Sequence, residues 1–152
     1  AAQGTSLMAV WSRLIFQMLH AAAPCNMQVF AIDAVAERLA VAKELGAEPL
    51  QLTSSSSSST SGSPSSSGTD AIVTAVKAAT EGRGADVVLE VVGSASALRL
   101  AFELIRPMGT ISSVGVHTDA AFPFSPVDGY NRNITYRCVR DSTPGRLNIS
   151  LF

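Results

Sequence analysis

The sequence is poor in the residues that hold metals and cross-links. Its 152 residues include two cysteines, Cys25 and Cys138, and two histidines, His20 and His117. Two cysteines cannot build a disulfide framework, and their scarcity points to a reducing, cytoplasmic setting. A zinc ribbon or an HExxH pair cannot be assembled from so few ligands. Charge is also scarce, at 15% of residues against a usual ~25%, and 11 Lys+Arg face 12 Asp+Glu. A net charge of -1 gives no attraction for a nucleic-acid backbone or an anionic membrane, so neither is an expected partner. The most apolar early run, Leu14-Ile-Phe-Gln-Met-Leu19, is far short of the ~18 residues of a membrane span. With Arg13 before it and Ala21-Ala-Ala23 after it, this run has the outline of a signal peptide. Gln17 interrupts it, and a buried helix is the expectation. Glycine is missing from a long stretch: none occurs between Gly4 and Gly46.

What is present divides by composition. Residues 54–68 are all Ser, Thr, Gly or Pro. Such a stretch buries too little apolar surface to offset its ordering entropy and is expected to be a disordered insertion. The rest alternates between strand and helix patterns. Val29-Phe-Ala-Ile-Asp33 is a short strand ending in an acid. Residues 35–45 place Val35, Leu39, Ala42 and Leu45 at helical spacing before Gly46. Residues 49–52 form a second strand. A helix capped by Asp70 carries Ile72, Val73, Val76 and Ala79 and stops at Gly82. Residues 86–92 form a third strand, apolar enough for a sheet covered on both faces. A helix over 95–105, stopped by Pro107, precedes a fourth strand over 110–114, and residues 133–136 suggest a fifth. Strands separated by helices imply crossovers and a parallel sheet: an α/β, doubly wound architecture.

Ligands of such sheets lie beyond the carboxyl ends of the strands. That singles out Asp33, Gly93-Ser94 and Gly115-Val116-His117. An acid like Asp33 can accept hydrogen bonds from the hydroxyls of an adenosine ribose and repels a 2′-phosphate, favouring NAD over NADP. Arg38, one helical turn on, can lie along the same ribose. Asp33 is equally suited to capping the helix that follows, and Gly93 and Gly115 to plain turns.

Three stretches in order carry a family resemblance. They are Val29–Asp33 with Ala36-Glu-Arg-Leu-Ala-Val-Ala-Lys-Glu-Leu-Gly-Ala47, then Gly82-Arg-Gly-Ala-Asp-Val-Val-Leu-Glu-Val-Val-Gly93, then Arg106-Pro-Met-Gly-Thr-Ile-Ser-Ser-Val-Gly115. Over residues 29–137, apart from the Ser-rich stretch, the chain resembles the coenzyme-binding domain of zinc-type medium-chain dehydrogenases, the alcohol dehydrogenase superfamily. The resemblance implies a partial dinucleotide-binding (Rossmann) domain over 1–152 with NAD as cofactor. It makes Asp33 the ribose ligand with Arg38 beside it, and Val92 and Gly93 the turn lining the cofactor crevice. It makes Val114, Gly115 and Val116 the segment whose backbone addresses the nicotinamide carboxamide. The strand around Ile134 is implied to pair two subunits of a homodimer.

The departures matter as much. The family's Gly-x-Gly-x-x-Gly turn holds the pyrophosphate on backbone N–H groups. Here Met8-Ala-Val-Trp11 resembles the strand before it, but Leu14, Ile15 and Phe16 follow, so the first βα unit is altered. The family's catalytic domain, with its zinc ligands, is expected to precede Ala1 and is absent from this sequence. No catalytic or metal residue is therefore assigned, and His117 is expected to be a solvent-facing loop histidine. In the intact enzyme a hydride would pass between NAD and an alcohol or aldehyde. The alternatives are a non-catalytic, truncated or rearranged fragment with weak or no cofactor binding, and a methyltransferase using the same ribose-binding acid.

Overall fold

The computed structural model describes residues 28–53 and 68–138. The expected Met8–Trp11 strand, the altered helix after it and residues 54–67 of the Ser-rich insertion lie outside the described residues. The chain divides into two compact units, residues 1–72 and 73–152.

In the first unit, β1 (Phe30–Asp33) leads through α1 (Ala36–Glu44) to β2 (Glu48–Gln51). The strands pair in parallel, from Phe30 opposite Glu48 to Asp33 opposite Gln51. Leu39 and Ala42, three residues apart on one face of α1, are buried with Ala31 and Ala47, and Val29 and Leu45 pack around them. Glu37 in the first turn and Lys43 in the last complement the helix dipole. Gly46, at φ +95, ends α1 in a Schellman turn. Its N–H reaches the Lys43 carbonyl at 2.9 Å and the Ala47 N–H reaches Ala42 at 3.0 Å.

Helix α2 (Gly68–Ala79) crosses the boundary between the units in sequence. The second unit then runs β3 (Ala85–Glu90), α3 (Ala95–Leu104), β4 (Ile105–Ser113), α4 (Pro126–Arg132) and β5 (Thr135–Cys138). Its sheet has the order β3-β4-β5, parallel throughout. Leu98, Ala101 and Phe102 of α3 form a core with Ile105 and Ile111 of β4, joined by Val88, Phe124, Ile134 and Tyr136. Phe124 stacks on Phe102 with ring centroids 4.5 Å apart. Parallel strands alternating with helices are what the sequence pattern predicts.

Several boundaries differ from that prediction. Helix α2 begins at Gly68, so Asp70 lies in its first turn instead of capping it, and Gly68, the last residue of the stretch expected to be disordered, is helical. Pro107 does not stop a helix; it lies inside β4. The register breaks there, with Ala85 opposite Ile105 but Val87 opposite Thr110, and Met108 takes φ +61. A proline, having no N–H to give a ladder, is accommodated at such a bulge. Strand β3 ends at Glu90 instead of Val92, because the Glu90 side chain takes the next backbone N–H groups. Helix α4 was not expected, and Asn133, its left-handed C-cap, delays β5 to Thr135.

Candidate cofactor site

In the first unit Asp33 closes β1 and is nearly buried, at 9% exposure. One carboxylate oxygen accepts the Val35 N–H at 2.8 Å, which turns the chain into α1. The other lies 3.5 Å from the Arg38 guanidinium. The turn into α1 and the ion pair therefore share one side chain, but the capping role open to Asp33 is not seen: Val35 is the N-cap of α1 and no side chain caps it. Beside it, beyond the carboxyl ends of β1 and β2, an open depression of about 520 Å³ is lined by Ala34, Gln51, Leu52 and Thr53. A carboxylate with lone pairs to spare, a guanidinium and an open hollow fit the hydroxyl-bearing sugar of a nucleotide.

In the second unit Val92, Gly93, Val114, Gly115 and Val116 come together where the chain leaves β3 and β4. The N–H groups of Val114 and Gly115 both point at the Glu90 carbonyl, at 2.8 and 3.2 Å. The two exits touch backbone to backbone. A Cβ on Gly93, at φ +82, would lie 2.5 Å from the Val116 carbonyl oxygen, and one on Gly115 would meet the backbone of Gly93. Glycine is thus required here by the approach of one exit to the other. Val92 and Val116 stay exposed, at 66% and 84%, as apolar surface next to this junction.

Beneath the junction lies a cluster that the sequence reading overlooked. The Glu90 side chain is 2% exposed. Its Oε1 accepts the N–H groups of Val92 and Gly93, both at 2.7 Å. Its Oε2 accepts the Ser113 hydroxyl at 2.7 Å and lies 2.8 Å from His117 Nε2, which is also 2.8 Å from Ser113 Oγ. Burial alone would push the Glu90 carboxyl up. The Gly93 N–H, the Ser113 hydroxyl, the Val92 N–H and His117 outweigh it, holding the group below its ordinary 4.5. His117 is therefore tied inward and is not the solvent-facing loop histidine expected. The sequence signal was Glu90 itself: a charge inside an apolar strand has to be paired. The arrangement is not that of a nucleophilic serine. In a Ser-His-acid triad the two ring nitrogens serve different partners, whereas here one nitrogen faces both. The described residues contain no group of three or more His, Cys, Asp or Glu side chains placed to hold a metal. None of their helices is long and apolar enough to cross a membrane.

Parallel strands alternating with helices make this an α/β chain, with an acid closing β1 and glycines at the exits of β3 and β4. Residues 14–145 match the zinc-binding dehydrogenase family, and the chain belongs to it. It is 50% identical over 102 residues to the medium chain reductase/dehydrogenase ucsI of Acremonium sp., covering 67% of this chain and 30% of that protein. It is 39% identical over 125 residues to zinc-type alcohol dehydrogenase B of Aspergillus flavus, covering 80% of this chain and 26% of that one. The chain thus spans less than a third of these curated relatives. Among solved structures, alcohol dehydrogenase TADH from Thermus sp. ATN1 superposes with a TM-score of 0.60 at 35% identity, over 74% of this chain and 28% of its own. An alcohol dehydrogenase from Thermotoga maritima gives 0.60 at 29% identity, over 76% and 30%.

Proposed function

We propose that this chain is the coenzyme-binding domain of a zinc-dependent alcohol dehydrogenase-like oxidoreductase, of the doubly wound Rossmann type, with NAD as its cofactor. The observation that carries the reading is Asp33, a nearly buried carboxylate at the end of β1 with Arg38 beside it and an open hollow adjacent. Asp33 accepts hydrogen bonds from the adenosine ribose hydroxyls and repels a 2′-phosphate. Arg38 steadies the carboxylate and lies along the sugar. Val92 and Gly93 line the nicotinamide end, and the backbone of Val114, Gly115 and Val116 addresses the carboxamide. Bound NAD supplies the hydride acceptor, so that an alcohol gives up a hydride and a proton and becomes an aldehyde or ketone. The zinc and the alcohol pocket belong to the intact enzyme. Strand β5, at the edge of its sheet among the described residues, supports a homodimer paired near Ile134.

Calorimetry of the chain with NAD and NADP tests the reading. NAD binds more tightly, and Asp33→Ala weakens NAD by about tenfold or more, the worth of at least one hydrogen bond to a charged group, while sparing NADP. Equal affinity for the two cofactors in both proteins contradicts the reading. An absence of binding favours the non-catalytic fragment, which the missing glycines between Gly4 and Gly46 already suggest.

A further inference from the structure

We propose that Glu90, Ser113 and His117 are positioning residues, a buried clasp that fixes the exits of β3 and β4 in the form that receives the nicotinamide end of the cofactor. The inference rests on the proposed function for its ligand and on the second unit alone for its geometry.

A single residue reaches both exits. The Glu90 side chain takes the N–H groups of Val92 and Gly93. Its backbone carbonyl takes those of Val114 and Gly115. Four consecutive-pair amides are thereby aimed inward, leaving the Val92 and Val116 side chains facing out. Such convergence matters because the junction has no slack: Gly93 and Gly115 are in backbone contact, with no room for a Cβ on either. A loop held only by that contact could slide. The His117 ring prevents sliding by tying the far end of the β4 exit back to the same carboxylate. Further along, the Asp119 carboxylate takes the Ala95 N–H at the start of α3, at 3.0 Å, a second fastening of the same loop.

The hydrogen bonds also dictate the state of the ring. Glu90 is held ionised and can only accept, so His117 Nε2 must carry a hydrogen. Ser113 gives its own hydrogen to Oε2 and offers its oxygen to the ring. A neutral His117 is therefore the Nε2–H tautomer, with Nδ1 bare. Replacing Glu90 by Gln puts an N–H₂ where Oε2 stood or removes the acceptor for Val92 and Gly93. In the first case the ring has to switch to the Nδ1–H tautomer.

Three variants of the full chain, H117A, H117Q and E90Q, test the clasp by nitrogen NMR of the imidazole, amide exchange, and titration with NADH and ADP-ribose. ADP-ribose lacks the nicotinamide. The expected results are an Nε2–H ring in the wild type, and a change of tautomer or faster exchange at Val92 and Gly93 in E90Q. H117A should lose about tenfold in NADH affinity, as for a hydrogen bond to a charged group, with ADP-ribose unchanged. H117Q, which keeps a donor, should recover most of that loss. If H117A binds NADH as the wild type does, or loses ADP-ribose equally, the clasp does not position the nicotinamide end. If the wild type binds neither nucleotide, the functional reading fails. The clasp is then judged by exchange alone: unchanged rates at Gly93 and Gly115 in H117A overturn it, and rates raised about tenfold uphold it.

Discussion

Glu90 is the residue whose chemistry is most constrained. Its carboxyl is held below the ordinary 4.5 by four hydrogen-bonding groups acting against burial. A carboxyl whose folded pKa is lowered adds stability that is fully present above its unfolded pKa and is lost as pH falls through the folded value. Asp128, lowered by the N–H and hydroxyl of Ser125, acts in the same direction, so the Glu90 part has to be isolated by difference. Urea unfolding between about pH 5 and pH 3 should show the wild type losing stability more steeply than Glu90→Gln, which is the weaker protein at neutral pH. Parallel curves for the two proteins would show that the carboxylate has no favoured ionised state in the fold. Asp33 shows how far a residue could be read from the sequence. Its position at a strand end was legible, whereas the sharing of its two oxygens between Val35 and Arg38 depends on the turn into α1.

At the scale of elements, α1 and its glycine stop could be read directly, because apolar spacing, helix-favouring residues and Gly46 agreed. Helix α4 could not be read from apolar spacing. It has no buried residue and therefore no apolar stripe, but its start carries a capping box. Ser125 Oγ accepts the Asp128 N–H at 3.2 Å, Asp128 accepts the Ser125 N–H at 2.9 Å, and Pro126 opens the first turn. Arg132 fastens the other end to the Phe102 carbonyl at 2.6 Å and lies over the Phe102 ring. A local cap at one end and the Arg132 contact with Phe102 at the other, not burial, therefore hold α4. Ser125→Ala should cost about 1 kcal/mol in denaturant unfolding, and Ser125→Thr should restore most of it. No loss in the alanine variant would mean that Pro126 and Arg132 suffice. The bulge at Pro107 was illegible for the opposite reason: only pairing with β3 reveals that the strand continues through a proline.

For the whole molecule, family membership was legible because three motifs stand in order, and the comparison with relatives bears it out. The Glu90 cluster went unread because Ser113 and His117 are distant from Glu90 in sequence and meet only once β3 and β4 pair. Under the proposed function, residues of each unit address NAD. The most direct measurement is backbone NMR of the isotope-labelled chain during titration with NAD. Shifts are expected at Asp33–Arg38 in the first unit and at Val92, Gly93 and Val114–Val116 in the second, with those in the second unit missing when ADP-ribose replaces NAD. Saturable shifts confined to other residues, or none at millimolar NAD, would contradict it.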